Sequence, residues 1–264
     1  MNHLDLVKLT ALMEHTSGRP EMMVALLDGP IARHHPDLES EHIREIAGSM
    51  HGTCSQTNSV ACMHGTFAAG ILCAKRGSDA LAICPNCTLL VHPIFGEIPS
   101  ENGQIPSTTP EELAAGIIES VKAGACALNL SLALLQPLST GQRELEQALD
   151  YAAMRGVIVV AAAGNQGAVG SSALTRHPWV IPVVACDLQG RPMRYSNLGS
   201  SIGRHGLGAP GEDVTSLGTD SKPLTLGGTS VAAPFGVTGL NGAKHTLSDK
   251  CAPQAASPEG MKGR

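Results

Sequence analysis

Residues 109–132 read TPEELAAGIIESVKAGACALNLSL, and this stretch indicates the fold class. Thr109 can cap the free N–H groups of a helix, the proline after it suits the first helical position, and Glu112 can complete a capping box. A helix is therefore predicted over residues 113–123. Residues 126–130 are mostly apolar and of strand length, which is typical of a strand buried on both faces. The stretch is thus a helix followed by a strand.

The same alternation continues on both sides of this stretch. Residues 22–27 form an unbroken apolar run, residues 141–155 have helical character, and residues 157–160 and 180–185 are apolar again. A series of strands and helices in alternation predicts an α/β fold with a mainly parallel central sheet and helices on both faces. Ligands of such sheets bind beyond the carboxyl ends of the strands, so polar residues at those ends become the first candidates for a site.

The rest of the chain is divided as follows. Residues 4–13 predict a short leading helix, and residues 196–210 predict a connection rich in glycine and serine. A length of 264 residues suits one domain, which we place at residues 1–240. Residues 241–264 are polar, lack helical periodicity and are predicted to be a disordered tail.

Composition excludes several classes of partner. Eighteen basic against 23 acidic residues give a formal charge of -5, which argues against binding to nucleic acid. The longest apolar run, residues 157–163, is far shorter than the roughly 20 residues that span a bilayer, so no membrane partner is expected. Residues 1–8 lack the pattern of a secretory signal, which predicts a cytoplasmic protein. Nothing in the sequence indicates an oligomeric state.

Four segments supply the parts of a serine hydrolase. Amide hydrolysis by serine needs an activated hydroxyl, a base, a carboxylate that orients the base, and donors that face the developing oxyanion. The candidates are Asp28 after the run 22–27, His64 in HGTFAAG, Asn165 at the end of AAAGN, and Ser230 in GGTSVAAP.

These four segments, in this order, resemble the subtilisin-like serine peptidases, or subtilases, whose triad runs Asp, His, Ser. The resemblance covers residues 22–239 and includes HPDL at 35–38 and NLSL at 129–132. It implies a three-layer subtilisin-like fold and a serine endopeptidase. It also implies the roles: Ser230 as nucleophile, His64 as base and then acid, Asp28 as its orienting partner, and the Asn165 amide with the Ser230 N–H as oxyanion hole.

The resemblance also implies where the substrate binds. Two segments would form the walls of the pocket for the residue before the cut and would present small side chains and free backbone to a peptide or protein bound as an extended strand. These segments are Ser131, Leu132 and Ala133 on one side and Ala161, Ala162, Ala163 and Gly164 on the other. Gln166 stands where some relatives carry an acid, which favours a neutral pocket.

Each of these residues taken alone has a simpler interpretation. Asp28 alone would be a turn residue, Ser230 a helix N-cap and Asn165 a turn. His51 lies in the same tripeptide, His-Gly-Thr, as His64. We prefer His64 because residues 67–72 continue as an apolar helix, whereas the residues after His51 do not. The order of the four motifs is what favours the catalytic interpretation.

The chain has eight cysteines, of which Cys84 and Cys87 have the spacing of a zinc knuckle. A full zinc site normally pairs two such spacings, and only one occurs, so packed thiols or a local disulfide are favoured. No acidic loop has convincing calcium-ligand spacing. We therefore expect no metal and no cofactor.

Within the subtilases, the residues around His64 together with residues 83–87 and 176–182 resemble the proteases that mature cyanobactin-type precursor peptides. The main departure from the family lies after Pro234, where Gly236 and a polar sequence from residue 241 suggest a curtailed C-terminal helix. Three functions remain open at this point. The first is an active endopeptidase, and the second is a pseudoprotease that binds peptide but cannot position Ser230. The third is a metal or redox function through Cys84 and Cys87.

Overall fold

The computed structural model describes residues 2–38, 40–48, 50–97, 108–132 and 141–243. The strands are β1 (Met23–Asp28), β2 (Ile43–Glu45), β3 (Thr88–Pro93), β4 (Ala127–Leu130), β5 (Ile158–Ala162), β6 (Val180–Cys186), β7 (Leu207–Pro210), β8 (Val214–Leu217) and β9 (Pro223–Leu226). The helices are α1 (His3–Leu6), α2 (Leu9–His15), α3 (Val60–Cys73), α4 (Pro110–Lys122), α5 (Gln142–Met154), α6 (Ala173–Arg176), α7 (Ser200–His205) and α8 (Thr229–Ala243).

Seven strands form one sheet in the order β2-β3-β1-β4-β5-β6-β7. Every neighbouring pair in this sheet is parallel. Strands β8 and β9 form a separate antiparallel pair. The predicted parallel sheet is therefore confirmed. Because β1 lies between β3 and β4, the order of the strands reverses there, and the carboxyl end of β1 is the place where such sheets bind ligands.

The two faces of the sheet are covered by different helices. Val24 and Leu26 of β1 pack in the cluster that contains the apolar side chains of α3 and α8. Ala25 and Leu27 pack in the opposite cluster, with α4 and α5. Side chains alternate between the faces of a strand, so an unbroken apolar run is what a strand needs when both faces are covered. The predicted three layers are confirmed.

Helix α4 begins with the capping box that the sequence predicts. The Thr109 hydroxyl accepts a hydrogen bond from the Glu112 N–H at 3.1 Å, and the Glu112 carboxylate accepts one from the Thr109 N–H at 2.8 Å. Two otherwise unpaired N–H groups are thereby satisfied. The helix starts at Pro110, three residues before the predicted start.

Two predictions about local structure are wrong. The leading helix is two short helices, α1 and α2, because Lys8 between them adopts the left-handed conformation with φ 58°. Residues 196–210 are not a plain connection, since they contain α7 and the edge strand β7. Strand β7 was not predicted because it contains glycine and proline, which are uncommon inside strands. Pro210 is tolerated here because an edge strand pairs on one side only.

Helix α8 is longer than the sequence suggests. It runs from Thr229 to Ala243, three residues past the expected domain boundary at 240. A Cβ at Gly236 would lie 3.0 Å from Val183 Cγ2 and 3.1 Å from Val160 Cγ1. Gly236 therefore lets α8 pack closely on β5 and β6 and is no sign of a disturbed helix. The predicted tail from residue 244 onward lies outside the described residues.

Arg76, just after α3, holds the N-terminal segment. Its guanidinium donates to the carbonyl oxygens of Met13 at 2.6 Å and Thr16 at 2.9 Å. It also donates to the carbonyl oxygens of Ala82 at 3.3 Å and Ile83 at 3.4 Å. One side chain thus joins α2 to the loop before β3.

Candidate active site

Asp28 ends strand β1, and its side chain is fully buried at the carboxyl edge of the sheet. Its carboxylate accepts a hydrogen bond from the Gly29 N–H at 2.6 Å. It also faces His64 Nδ1, which lies 2.8 Å from Oδ1 and 2.9 Å from Oδ2. A buried carboxylate needs such partners, since an unpaired buried charge is strongly unfavourable. The strand end therefore fixes both the acid and the ring that it orients.

His64 lies in helix α3, and two glycines bring this helix against the turn after β1. A Cβ at Gly65 would lie 2.5 Å from the carbonyl oxygens of Gly29 and Pro30. A Cβ at Gly29 would collide with the carbonyl group of Ala61. The backbones can approach this closely only because neither residue has a side chain. This contact sets the distance between His64 and Asp28.

Ser230 is the second residue of helix α8, and its Oγ lies 2.9 Å from His64 Nε2. The first N–H groups of a helix have no partner within the helix, and its N-terminus carries partial positive charge. The Ser230 N–H belongs to this set. The start of α8 therefore places a hydroxyl against the imidazole and an N–H where negative charge can be stabilised.

The charge of Asp28 sets the protonation of His64. Burial lowers the pKa of His64, but the charge of Asp28 and the hydrogen bond to it raise this pKa more, so the net shift is upward from 6.5. The imidazolium is stabilised in place. With Asp28 on Nδ1 and Ser230 on Nε2, the three groups form one continuous chain of hydrogen bonds.

Asn165 follows β5 and is oriented by Thr229. The Asn165 Oδ1 accepts hydrogen bonds from the Thr229 N–H at 2.9 Å and from the Thr229 hydroxyl at 3.0 Å. The same hydroxyl accepts a bond from the Gly164 N–H at 3.1 Å. These contacts fix which way the amide points and leave its Nδ2 as the donor, and both this Nδ2 and Ser230 Oγ lie next to Gly228. Sequence reasoning named Asn165 but not Thr229.

Asn197 holds the loop after β5 and was missed by the sequence analysis. Its Oδ1 accepts from the N–H groups of Gln166 at 3.1 Å and Ala168 at 3.0 Å. Its Nδ2 donates to the Ala163 carbonyl at 3.2 Å and to Gln166 Oε1 at 2.7 Å. Its own N–H donates to the Gly164 carbonyl at 2.8 Å. It lies in the stretch taken as a plain connection, where no periodic pattern marks it.

The proposed substrate walls lie at neighbouring strand ends. Leu130 of β4 pairs with Ala161 of β5, so the residues that follow each strand meet at the carboxyl edge of the sheet. Ser131 and Leu132 on one side are buried at 4% and 6% exposure, and the residues of the other wall, Ala161, Ala162, Ala163 and Gly164, are buried as well. Ala133 lies outside the described residues.

The second wall has less free backbone than expected. The Ala163 N–H donates to the Val183 carbonyl at 2.9 Å, and the Ala163 and Gly164 carbonyls accept from Asn197. The Gly164 N–H donates a hydrogen bond to the Thr229 hydroxyl. These peptide groups are engaged within the protein and are not free to pair with an extended substrate.

The other histidine with the same tripeptide is excluded by its position. His51 lies exposed in a loop before α3, whereas His64 lies on the helix. Of these two histidines, only His64 contacts an acid and a serine together. The choice of His64 over His51 agrees with the geometry.

The cysteines form two disulfides among the described residues, Cys54–Cys62 and Cys84–Cys87. The second is a local disulfide, which is one of the two arrangements that the sequence favoured over zinc. Cys73 and Cys186 are buried free thiols. In the described part of the chain, the group with metal-ligating atoms close together is Cys54, Cys62 and Glu97.

None of the helices within the described ranges is long and apolar enough to cross a membrane.

Comparison with known proteins gives a consistent result. The sequence profile of the Subtilase family matches residues 19–241. The Thermophilic serine proteinase of Bacillus sp. (strain AK1) is 31% identical over 229 residues, which is 85% of this chain and 52% of that protein. The chain thus spans about half the length of this relative.

Two solved structures are similar in fold and sequence. A mutant of the protease domain of PatA matches with a TM-score of 0.78 and 29% identity, over 87% of this chain and 82% of that one. The prenylagaramide maturation protease PagA matches with a TM-score of 0.79 and 28% identity, over 93% of this chain and 84% of that one.

Proposed function

Because the chain belongs to the subtilase family, we propose that it is a serine endopeptidase with Asp28, His64 and Ser230 as its catalytic triad. The observation that carries this proposal is the continuous chain of hydrogen bonds from the Asp28 carboxylate through the His64 ring to the Ser230 hydroxyl. Each distance is that of a normal hydrogen bond, so the proton of Ser230 has a base within reach.

The first half of the reaction forms an acyl-enzyme. Ser230 Oγ attacks the scissile carbonyl carbon as its proton passes to His64 Nε2. Asp28 accepts the Nδ1–H, which leaves the lone pair of Nε2 facing Ser230 and stabilises the imidazolium that forms. The tetrahedral intermediate then collapses, and His64 gives its proton to the leaving amine.

The second half of the reaction uses water in place of Ser230. His64 takes a proton from the water, which attacks the acyl carbon. As the bond from that carbon to Ser230 Oγ breaks, His64 returns the proton to Oγ, and the new carboxyl end of the peptide is released. In both halves the negative oxygen lies between the Ser230 N–H and Asn165 Nδ2. Donors that are already oriented need no reorganisation during the reaction, and Thr229 and Asn197 supply that orientation here.

The substrate is proposed to bind as an extended strand along the Ser131 side of the cleft. Small side chains at Ala162 and Ala163 leave room for the residue before the cut. Gln166 is neutral and is hydrogen-bonded to Asn197 at 2.7 Å, so the pocket has no fixed charge from this position. We expect cleavage after uncharged residues in preference to lysine or arginine.

A narrower substrate class is supported by the similar structures. PagA is named as a maturation protease, and PatA is described in one structure as the patellamide maturation protease. Both are close to 30% identical to this chain over most of its length. We propose that the natural substrate is a small ribosomal precursor peptide cut at a defined position.

Labelling by a fluorophosphonate probe tests the triad directly. Ser230 should be labelled, and Ser230→Ala should abolish labelling and peptide cleavage. Ser200→Ala, at an exposed serine outside the site, is the matched control and should keep both. Cleavage that survives Ser230→Ala would overturn the proposal. A folded protein that binds peptide but is never labelled would favour the pseudoprotease instead.

The substrate class needs a separate measurement. For a maturation protease we expect kcat/KM to be at least about tenfold higher on a precursor peptide than on unfolded casein, with one cut site found by mass spectrometry. Cuts at many sites in both substrates would leave the triad intact and reject the narrower class.

A further inference from the structure

Two cysteines and a carboxylate lie together beside helix α3. The Sγ atoms of Cys54 and Cys62 and a carboxylate oxygen of Glu97 are all within 4.8 Å of one another. Cys62 is buried in the first turn of α3, and Cys54 and Glu97 are partly buried. The two sulfurs form a disulfide in the structure. The proposed peptidase reaction uses none of these three side chains.

Glu97 is held in place as a metal ligand would be. Its carboxylate accepts hydrogen bonds from the N–H groups of Ser55 and Gln56 at 2.8 Å each, and from the hydroxyls of Ser55 and Ser59. These hydrogen bonds fix the orientation of the carboxylate, as outer partners fix the ligands of metal sites.

We propose that Cys54, Cys62 and Glu97 form a binding site for Zn²⁺ when the Cys54–Cys62 disulfide is reduced. Thiolate sulfurs and carboxylate oxygens are zinc ligands, with Zn–S bonds of about 2.3 Å and Zn–O bonds of about 2.0–2.2 Å. Tetrahedral bonds of these lengths separate the ligand atoms by roughly 3.5–3.8 Å. The three ligand atoms all lie within 4.8 Å of one another, and reduction of the disulfide frees the two sulfurs to move apart to the spacing that zinc requires.

The redox step and the metal step both balance. A dithiol gives two electrons and two protons to the disulfide, which becomes two thiols, and the dithiol becomes a disulfide. Zn²⁺ then displaces the two thiol protons to solvent. Two thiolates and one carboxylate carry three negative charges against the two positive charges of the ion.

The site joins two segments that carry the proposed triad. The Cys54 N–H donates to the carbonyl of Ile31, three residues after Asp28, at 2.9 Å. Cys62 lies two residues before His64 on α3. The disulfide and the zinc ion are therefore alternative cross-links between the same two segments. The disulfide forms under oxidising conditions, and zinc binds under reducing conditions.

The second disulfide differs in its surroundings and provides the control. Cys84 and Cys87 line a small apolar cavity with Val24, Leu72 and Leu89. Of the described residues, no carboxylate lies close enough to these sulfurs to form a three-ligand group. Reduction should therefore create a zinc site at one pair of cysteines and not at the other.

Cobalt titration of the reduced full chain tests the site without any cleavage assay. Ser230→Ala protein is reduced with dithiothreitol, desalted without oxygen and titrated with Co²⁺, whose thiolate complexes absorb in the near-ultraviolet and visible. We expect about one equivalent to bind, and Zn²⁺ to displace it. The oxidised protein should show no thiolate-to-cobalt absorption.

Three variants locate the bound ion. Cys62→Ser should abolish the absorption, and Glu97→Gln should weaken Co²⁺ and Zn²⁺ binding by at least about tenfold. Cys84→Ser, the matched control, should bind as the parent does. Absorption that is lost in Cys84→Ser but kept in Cys62→Ser would overturn the proposal, as would its absence in the reduced parent.

Alkylation gives an answer that depends on no variant. In the reduced parent, Zn²⁺ should protect Cys54 and Cys62 from iodoacetamide by about tenfold in rate, measured by peptide mass spectrometry, and should leave Cys84 and Cys87 unprotected. Equal protection of both pairs, or of neither, would contradict the assignment. Because these readouts need no catalysis, the zinc site and the proposed peptidase can fail independently.

Discussion

The two sides of the candidate catalytic centre are held by different kinds of interaction. His64 is positioned by close backbone contact at Gly29 and Gly65, with a disulfide at Cys62 in the same helix. Asn165 is positioned by side-chain hydrogen bonds from Thr229 and by a loop that Asn197 holds. Steric contact between backbones tolerates almost no change, whereas a hydrogen-bond network can lose one member and keep the rest. The His64 side should therefore be more sensitive to single substitutions.

Gly65→Ala should have the largest effect. The added methyl would lie 2.5 Å from two backbone carbonyl oxygens, so α3 must shift and carry His64 away from Asp28. Because a displacement of 1 Å can cost about 10²-fold, and here both contacts of His64 change, we expect kcat/KM to fall by about 10³-fold or more. The rate at which a fluorophosphonate probe labels Ser230 measures this loss of activity.

The control for this substitution is Gly203→Ala. Gly203 lies in a helix, and a Cβ there would meet no atom within 4 Å. It should leave the labelling rate unchanged and raise thermal stability slightly. If Gly65→Ala labels as fast as Gly203→Ala, the close packing at α3 does not position His64.

Asn165→Ala should have the next largest effect. Loss of one oxyanion donor in a subtilisin costs about 10²–10³-fold in kcat, and the same loss is expected here. KM should change little, because the donor acts on charge that develops in the transition state. Steady-state kinetics on a peptide substrate separate the two constants. A rise in KM at constant kcat would place Asn165 in substrate binding instead.

Asn197→Ala should have a smaller effect of the same kind. Asn197 contacts the loop and not the reacting atoms, so its removal loosens the Asn165 donor without deleting it. We expect kcat to fall by about 10–100-fold with KM nearly constant. Asn197→Asp keeps the oxygen that accepts from Gln166 and Ala168 but loses the donors to Ala163 and Gln166. An intermediate kcat would show that both halves of the amide contribute; kcat values equal to the parent for both variants would contradict the positioning role.

The strand-end residues were predictable from the sequence, and the residues that support them were not. Asp28 and Asn165 follow apolar runs, and parallel sheets place their sites at such ends, so the pattern drew attention to them, and the order of the four motifs supplied their proposed roles. Asn197 and Thr229 act through contacts with segments more than thirty residues away in sequence, and no local pattern encodes such contacts. Strand β3 was not predicted either, although it is the neighbour that pairs with β1 along its whole length.

The group formed by Cys54, Cys62 and Glu97 also depends on a contact that the sequence does not reveal. The close spacing of Cys84 and Cys87 drew attention to zinc, yet the structure brings a carboxylate to the other pair, Cys54 and Cys62. Glu97 lies beyond the end of β3 and is 35 residues after Cys62 in the sequence. A third ligand supplied from that distance can be found only in three dimensions.

The pH dependence should be the smallest of these effects. The pKa of His64 is raised from 6.5 by Asp28, and the neutral imidazole is the active base, so kcat/KM should rise with pH through a midpoint above 6.5. The linked stability has the opposite sign. Protonation of His64 stabilises the folded state fully below about 6.5, and this contribution is lost as pH rises through the folded pKa.

An NMR titration of the His64 ring in Ser230→Ala protein measures this pKa directly. Asp28→Asn in the same background should lower it, because burial then acts without the opposing charge. A midpoint at or below 6.5 in the parent would show that burial outweighs Asp28.

The guanidinium of Arg76 attaches the N-terminal segment to the loop before β3. It gathers carbonyl oxygens from Met13, Thr16 and Ala82, which is the kind of ligand set that a bound cation would take. This cation is part of the chain and remains protonated in proteins. Dilution cannot release it and a chelator cannot extract it. The attachment of α2 should therefore be indifferent to EDTA, and its hydrogen-exchange protection should be the same with and without the chelator.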